Sequence, residues 1–423
     1  MSAPTIAIVG SGPAGCYLAQ ALRKQWPQAP IELFDRLPVP FGLVRYGVAP
    51  DHLGTKAVTR QFERLFERDG VQFRGNIKIG RDLSLSALQK SYDVVVLATG
   101  LAADRPLEIP GSELKGIYGA GSITRRFNDH PEEQAFAPAL GRSTVIVGQG
   151  NVAIDVLRLL AKSPEAFADS EVSDSALAHF QRYPLARIDI VGRSPAAQAK
   201  CDALMLRELS KLDSVRFHFS EPLEHDDADG ERAATARMAA FEELAALPAP
   251  DKVRCKVHFH FGWVPERILG TQRVEHVAFT SGDGSGRVLQ LDADSVITAI
   301  GFAEREGQVL SRSGLGGETV NESGRLAPGL YCTGWFRRGP QGTIPQNRVD
   351  ARKVAEAVAE DWAGRTSSKP GFAGLPASVN EQATDYAGWK RIEAVELAEA
   401  PAGRLRLKIS DMERMLGIAR HTT

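Results

Sequence analysis

Two glycine-rich segments have the spacing of loops that bind dinucleotide phosphates. The first, Gly10-Ser11-Gly12-Pro13-Ala14-Gly15, lies between a β-branched run at residues 5–9 and a helical pattern at residues 12–24. Asp35 ends the next predicted strand, about 20 residues on, where a carboxylate can accept a hydrogen bond from a ribose hydroxyl. Because glycines admit a pyrophosphate and a helix N-terminus stabilises its charge, this segment predicts a dinucleotide site.

The second segment is Gly148-Gln149-Gly150-Asn151-Val152-Ala153, between a predicted strand at residues 143–147 and a predicted helix at 151–162. Alanine replaces the third glycine, which is an allowed variant. The next predicted strand, 187–191, leads not to an acid but to Gly192-Arg193-Ser194. A guanidinium can pair with a 2′-phosphate and a hydroxyl can add a hydrogen bond, so the pattern favours NADPH. The alternative is that Arg193 is a surface charge and that NADH also binds.

Two further loops have compositions that suit a cofactor site. The loop Leu37 to His52 is rich in proline and glycine yet apolar, whereas simple linkers are polar. The loop Thr333 to Asn347 comes directly before a predicted helix at about 346–361. We expect its backbone N–H groups to meet the N1/O2 edge of a flavin, with Trp335 near the ring.

The order of predicted elements indicates one domain inserted into another. A chain of 423 residues is too long for one compact core. The strand–glycine loop–helix pattern starts at residue 5 and restarts at residue 143, and predicted strands at 93–97 and 295–299 lead into Ala98-Thr99-Gly100 and Ile300-Gly301. We therefore predict an α/β fold with two Rossmann-like dinucleotide-binding domains. The NADP domain, residues 102–301, interrupts an FAD domain made of residues 1–101 and 302–423.

Other predicted elements fill in this outline. They are an amphipathic helix at residues 56–69, antiparallel β additions near 257–261 and 274–279, a loop at 364–374, and a small helical and extended tail.

Charge and cysteine usage exclude several classes of protein. The formal net charge is -1, so no basic surplus suggests nucleic-acid binding. The four cysteines form no C-x-x-C pair, which weighs against a dithiol reductase, a zinc ribbon or an iron–sulfur cluster. No apolar run reaches the ~18–20 residues of a membrane helix, and the N-terminus has no signal-like or transit segment. The sequence predicts a cytoplasmic protein with no metal site, no nucleic-acid or membrane partner, and a plausible monomeric state.

These motifs together resemble the adrenodoxin reductase family of ferredoxin–NADP⁺ reductases. The resemblance covers essentially the whole chain. The segments that show it are GSGPAGCYLAQAL, VPFGLVRYGVAPDH, VGQGNVAIDVLRLL, residues 193–209, GWFRRGPQG and the tail around Trp389 to Ile392.

The resemblance implies the residues of both cofactor sites. For FAD they are Gly10, Gly12, Pro13, Ala14, Gly15, Asp35, Arg36, Gly42, Leu43, Thr99, Gly100, Trp335, Gly342, Thr343 and Ile344. For NADP they are Gly148, Gln149, Gly150, Asn151, Val152, Arg193, Ser194 and Glu208. His52, Asp155 and Glu208 are candidates for proton relay or nicotinamide positioning. Asp155 would either orient His52 or bond to backbone, and a structural hydrogen-bonded role is an equal alternative for His52 and Glu208.

The implied reaction is hydride transfer from NADPH to FAD, followed by single electrons to an acidic iron–sulfur ferredoxin that serves a cytochrome P450 or another oxygenase. Two alternatives are an electron-input module similar to the glutamate synthase small subunit, and a flavin monooxygenase. One departure from the family concerns the coenzyme: relatives commonly have two consecutive arginines where this chain has Arg193 and Ser194. This departure predicts a milder preference for NADPH.

Overall fold

The protein is seen in a computed structural model that describes residues 3–223, 232–305, 309–312, 314–315 and 323–420. The chain forms two compact units. We call Met1–Ala103 with Phe302–Thr423 the discontinuous unit, and Asp104–Gly301 the inserted unit.

Short strands and longer helices alternate along most of the chain. The strands are β1 Ile6–Val9, β2 Ile31–Phe34, β3 Gln72–Arg74, β4 Val94–Leu97, β5 Ala103–Asp104, β6 Ile117–Gly119, β7 Ser143–Val147, β8 Arg187–Gly192, β9 Val215–Phe219, β10 Cys255–Phe261, β11 Trp263–Leu269, β12 His276–Ser281, β13 Val288–Asp292, β14 Ser295–Thr298, β15 Phe302–Ala303, β16 Arg325–Ala327 and β17 Leu330–Cys332. The α-helices are α1 Pro13–Gln25, α2 Leu43–Tyr46, α3 Leu53–Lys56, α4 Thr59–Glu67, α5 Leu85–Ser91, α6 Ala120–Phe127, α7 Asn151–Ala161, α8 Asp174–Gln181, α9 Ala203–Leu209, α10 Arg232–Ala245, α11 Trp335–Arg338, α12 Ile344–Trp362, α13 Ala377–Gln382, α14 Tyr386–Ala398 and α15 Met412–Arg420.

The discontinuous unit contains a six-stranded sheet in the order β16-β17-β4-β1-β2-β3. All its pairs are parallel except β16 with β17. Strands β1, β2 and β4 are buried on both faces, as expected for a parallel sheet covered by helices. The chain leaves β1 towards β2 on one side, while β4 lies on the other. This arrangement opens a crevice at the carboxyl ends of β1 and β4, the usual ligand position in such sheets.

The inserted unit repeats the design. Its six-stranded sheet has the order β6-β14-β7-β8-β10-β9 and is parallel throughout. A separate antiparallel sheet, β11-β12-β13, packs its own apolar residues into the same core. The change of direction falls between β7 and β14, so a second crevice opens there. Both sheets confirm the predicted fold class of two Rossmann-like domains.

One predicted element was wrong in its strand pairing, and another differs from its prediction only in its bounds. Residues 257–261 belong to β10, which is parallel to both β8 and β9 and lies inside the main sheet. The helix α10 precedes it and returns the chain to the same end of the sheet, which makes the pairing parallel. The amphipathic helix expected at residues 56–69 is confirmed as α4, although it begins at Thr59 and ends at Glu67. No helix within the described residues is long and apolar enough to cross a membrane.

Candidate functional site

The first glycine loop lies where β1 and β4 separate. Gly10 has φ +114°, and a Cβ there would lie 2.3 Å from the carbonyl oxygen of Ala98. A Cβ on Gly15 would lie 2.0 Å from the oxygen of Gly10. Both positions therefore require glycine. Gly10 requires it for its positive φ and its close packing, and Gly15 requires it for close packing alone. The helix α1 begins directly after Gly12 and has proline in its first turn, so its free N–H groups face the crevice.

Asp35, the predicted last residue of the second strand, lies one residue beyond the observed end of β2 at Phe34. Its Oδ2 accepts hydrogen bonds from the backbone N–H and the hydroxyl of Ser11, and its Oδ1 accepts one from the N–H of Leu37 at 3.1 Å. The carboxylate thus ties the glycine loop to the start of the next loop. Each carboxylate oxygen can accept more than one hydrogen bond, so a ribose hydroxyl can still be received.

The apolar loop at residues 37–52 packs directly on the glycine loop. The N–H of Phe41 donates to the oxygen of Ser11 at 3.1 Å. A Cβ on Gly42 would lie 3.1 Å from Cα of Gly12. The two glycines therefore approach each other backbone to backbone. A Cβ on Gly12 would meet only Cα of Gly42, at 4.0 Å, so Gly12 has room for a pyrophosphate beside it. Leu43 opens the short helix α2 immediately afterwards.

A cavity of about 350 Å³ lies beside this loop in the discontinuous unit. Five of the predicted FAD residues line this cavity: Gly10, Asp35, Arg36, Thr99 and Gly100. Residues 77–81, Arg305, Val309 and Leu310 line it as well. The acid, the glycine loop and the turn after β4 thus share one pocket. Its position next to Asp35 suits the adenosine half of a dinucleotide.

The turn after β17 is fixed by a buried acid that the sequence reading missed. Asp350 of α12 accepts hydrogen bonds from the hydroxyl of Thr333 at 2.8 Å and the N–H of Gly334 at 2.6 Å, and it pairs with Arg337. A Cβ on Gly334 would lie 2.4 Å from Cβ of Ala14, so this turn touches the first turn of α1. The available signal was the helical spacing of Asp350 with the apolar residues Val354 and Ala357, which places the acid on the same buried face of α12.

The helix α12 begins beside that turn. Thr343 and Gln346 form a reciprocal capping box, and Ile344 is the first helical residue. A Cβ on Gly342 would lie 2.0 Å from the side-chain oxygen of Gln346, and its φ is +88°. Gly342 and Thr343 are exposed, and Ile344 is partly buried. The N-termini of α1 and α12 therefore both belong to the neighbourhood of one glycine loop.

Two buried polar atoms in this region fit a flavin dinucleotide. The hydroxyl of Thr99 and the indole N–H of Trp335 have no hydrogen-bond partner among the described residues. Phe302 stacks on the Trp335 ring, with centroids 5.4 Å apart. Buried polar groups are normally hydrogen-bonded, so these two call for a ligand or water. FAD requires a glycine loop for its pyrophosphate, an acceptor for its ribose, helix N-termini for its negative charge and polar partners for its remaining groups. This region provides all of them.

The second glycine loop has the same backbone design in the inserted unit. Gly148 has φ +118°, and a Cβ there would lie 2.4 Å from the oxygen of Ala299. A Cβ on Gly150 would meet no atom within 4 Å. The helix α7 starts at Asn151, and Val152 lies in its first turn. The side chain of Gln149 points inward and donates to the oxygen of His260 at 2.8 Å, so only its backbone can face a ligand.

Asn151 links the two helices that border this loop. Its Nδ2 donates to Asp202 at 2.6 Å, and its Oδ1 accepts the N–H of Asp202 at 2.8 Å, just before α9 begins. Arg193 is exposed directly after β8, and the oxygen of Ser194 accepts the N–H of Gly262 at 3.2 Å. The backbone hydrogen bond between Gly262 and Ser194 thus fixes the loop after β8. The exposed side chain of Arg193 can therefore bind a phosphate.

Asp155 and Glu208 are brought together by a residue absent from the sequence prediction. Arg158, 5% exposed, donates to Asp155 at 3.1 Å and lies 3.5 Å from Glu208. The spacing from Asp155 to Arg158 on one helix could have revealed it. Asp155 therefore bonds to a side chain of its own helix rather than only to backbone. His52 lies in the discontinuous unit, where it is the N-cap residue directly before α3, and its N–H donates to the oxygen of Ala49 at 3.0 Å.

The cysteines have no redox geometry. All four are buried and free. Burial, reinforced by the nearby Asp35 carboxylate, raises the pKa of the Cys16 thiol well above its usual value. Burial also raises the pKa of Cys332 to about 12. These thiols stay protonated and are not nucleophiles at neutral pH.

Comparison with known proteins agrees with this geometry. Residues 4–341 match the family described as pyridine nucleotide-disulphide oxidoreductase. The chain is 45% identical to cindoxin reductase of Citrobacter braakii, over 99% of this chain and 92% of that protein. It is 33% identical to the mitochondrial NADPH:adrenodoxin oxidoreductase of Arabidopsis thaliana, over 92% of this chain and 90% of the relative. The chain belongs to the adrenodoxin reductase family.

A solved structure supports the same assignment. Mycobacterium tuberculosis FprA in complex with NADPH superposes with a TM-score of 0.89 at 30% identity, over 99% of this chain and 100% of that one. Membership confirms the resemblance, the class of NADPH-dependent flavoprotein oxidoreductase, and the cofactors FAD and NADP(H). Although the broader family name includes disulphide reductases, the buried separate thiols of this member of the adrenodoxin reductase family offer no dithiol centre.

Proposed function

We propose that this protein is a ferredoxin–NADP⁺ reductase in which the discontinuous unit holds FAD and the inserted unit holds NADPH. The observation that supports it is the paired design of the two glycine loops. Each has one glycine locked against a neighbouring strand end and one open to a ligand. Asp35 follows the first loop's second strand, whereas Arg193 follows the second loop's. Bound FAD would accept a hydride from NADPH and release electrons singly to an iron–sulfur protein.

The chain's own residues position the two cofactors. For FAD we assign Gly10, Gly12, Gly15 and Asp35 to the pyrophosphate and ribose, and the α12 N-terminus after Gly342 to the flavin edge. For NADP we assign the backbone of residues 149–152 and the side chain of Arg193. The cluster of Asp155, Arg158 and Glu208 would hold the nicotinamide end or a proton near it.

Reconstitution tests the proposed function. The purified protein should be yellow and release one FAD per chain on denaturation. With NADPH, an acidic ferredoxin and cytochrome c as final acceptor, cytochrome c reduction should depend on the ferredoxin. NADPH oxidation by O₂ alone, tied to hydroxylation of an organic substrate, would instead indicate a monooxygenase. Activity only with an added glutamate synthase large subunit would indicate the electron-input alternative.

Asp35→Ala should weaken FAD binding about ten- to a hundredfold. A hydrogen bond to a charged group is worth roughly 1.5–3 kcal/mol, and ~1.4 kcal/mol is tenfold in affinity. Titrating apoprotein with FAD measures the loss. Ser11→Ala is the matched control, since it removes one donor to Asp35 but leaves the carboxylate. Equal losses in both variants would mean that Asp35 acts only by holding the loop.

We propose that ferredoxin docks on basic side chains of the discontinuous unit. Several other arginines are engaged by acids: Arg125 and Arg126 contact Glu133 and Asp129, and Arg337 pairs with Asp350. Arg348 and Arg352, one turn apart on α12 near the proposed FAD site, are exposed. An acidic iron–sulfur partner would be attracted to this face.

A cytoplasmic location and a monomeric state also remain predictions.

Arg352→Glu should raise the KM for an acidic ferredoxin several-fold and weaken its salt dependence. Exposed charges are screened beyond ~8–10 Å at moderate ionic strength, so reduction at subsaturating ferredoxin should slow as salt rises. Arg365→Glu makes the same charge change beyond the far end of α12 and should have little effect. Salt-independent ferredoxin reduction by the wild type would argue for an apolar interface.

A further inference from the structure

The loop that packs on the first glycine loop is conformationally strained. Phe41 has φ +81° and the adjacent Gly42 has φ +49°. A positive φ is uncommon for a bulky residue such as phenylalanine, and it persists only where the surroundings hold it. The same two residues contact Ser11 and Gly12, which border the proposed pyrophosphate site. Whatever holds Phe41 and Gly42 therefore also shapes the FAD site.

The C-terminal tail supplies that hold. Trp389 of α14 is 1% exposed and meets the Phe41 ring edge-on, with centroids 6.2 Å apart. The guanidinium of Arg45, in α2, lies 4.9 Å from the Trp389 ring. Arg45 also donates to Glu396, which lies on the same tail helix and is fully buried. The tail thus contacts the loop on both sides of Gly42, at Phe41 before it and at Arg45 after it.

The buried charges are satisfied from elsewhere in the same unit. Glu396 accepts the N–H of Ile409 at 2.9 Å and lies 3.3 Å from Arg406. Lys56 donates to the carbonyl oxygens of Val44 at 3.0 Å and Arg45 at 2.9 Å. These oxygens lie in the four-residue helix α2, which is too short to supply helical partners for its last carbonyl groups. A buried ion pair contributes little stability compared with apolar packing, but the loss of one partner is costly because it leaves an uncompensated buried charge. Here the pair links α2 to α14 of the tail.

We propose that Arg45 and Glu396 are positioning residues for FAD: their ion pair clamps the tail onto the Phe41–Gly42 turn and so controls how tightly FAD is retained. The inference rests on the proposed placement of FAD at the first glycine loop. Neither residue is among those assigned to contact the cofactor. Breaking the pair should release the turn and speed FAD loss without removing any cofactor contact.

The test compares Glu396→Gln with Glu399→Gln. Glu399 ends the same helix and pairs with Arg414 at the surface, so the control removes an equal charge from an exposed pair. FAD release is followed by the rise of flavin fluorescence on dilution, and the melting temperatures of apoprotein and FAD-loaded protein are measured. Glu396→Gln should release FAD about tenfold faster or more, because an unpaired buried charge is costly. It should also narrow the gap between the two melting temperatures. Glu399→Gln should match the wild type.

A second variant keeps the test decisive if Glu396→Gln does not fold. Arg45→Met combined with Glu396→Met removes both charges, which tends to preserve stability while abolishing the directional clamp. It should still release FAD several-fold faster than the wild type. Unchanged FAD release in the folded variants, with equal falls in both melting temperatures, would show a purely structural pair and overturn the inference. A wild-type protein that takes up no FAD would instead contradict the proposed function.

Discussion

Gly150→Ala should sharply lower kcat/KM for NADPH while leaving the fold and the FAD content intact. A Cβ at this position meets no protein atom within 4 Å, and the φ of −92° suits alanine. The open space is where a pyrophosphate would approach the N-terminus of α7. Displacing the coenzyme by about 1 Å can cost on the order of a hundredfold, so we expect kcat/KM to fall that much. NADH should lose as much, because both coenzymes share the pyrophosphate.

Gly148→Ala is the contrasting change two residues earlier. Its φ of +118° and the 2.4 Å approach of a Cβ to the Ala299 oxygen make the substitution strained and overcrowded. We expect a loss of about 3 kcal/mol or more in the stability of the inserted unit. Thermal melting and steady-state kinetics of both variants provide the measurement. If Gly150→Ala retained wild-type kinetics with NADPH, the coenzyme would not cross this loop.

Arg193→Ala should lower kcat/KM for NADPH roughly ten- to a hundredfold, mainly through KM, and leave NADH nearly unchanged. A charge-assisted contact with the 2′-phosphate is worth about 1.5–3 kcal/mol, and ~1.4 kcal/mol is one decade. The backbone bond from Gly262 to Ser194 keeps the loop in place when the side chain is shortened. Because one arginine is present where relatives commonly have two, the wild-type preference should be milder than theirs. Ser194→Arg should increase it.

The control is Lys200→Ala, which removes an exposed cation from the same unit. It should change neither coenzyme's kinetics much, since surface charge alone is screened by salt. Steady-state kcat/KM with NADPH and NADH in wild type, Arg193→Ala, Ser194→Arg and Lys200→Ala completes the comparison. Equal losses for both coenzymes in Arg193→Ala would assign the residue to the fold or to the shared adenosine.

The sequence alone determined the architecture because local patterns dictated it. A β-branched run, a glycine loop, a helix and a second strand occur twice, and each set fixes a βαβ unit whose crossover is almost always right-handed. The loops at residues 10–15 and 148–153 were therefore placed correctly at strand ends. So were the crossing points after β4 and β14, where Ala98 and Ala299 approach Gly10 and Gly148. The alternation of elements also revealed the insertion.

Other features depended on residues far apart in the chain, and only the tertiary structure decided them. The parallel pairing of β10 follows from where α10 returns the chain, which periodicity cannot show. Asp350 matters because α12 turns its buried face to the Thr333–Gly334 turn. Arg158 matters because α7 and α9 place Asp155 and Glu208 on either side of it. Arg45 and Glu396 are 351 positions apart. A local sequence pattern specifies a secondary-structure element and the loop that follows it. A contact between residues far apart in the sequence is specified only by how the elements pack.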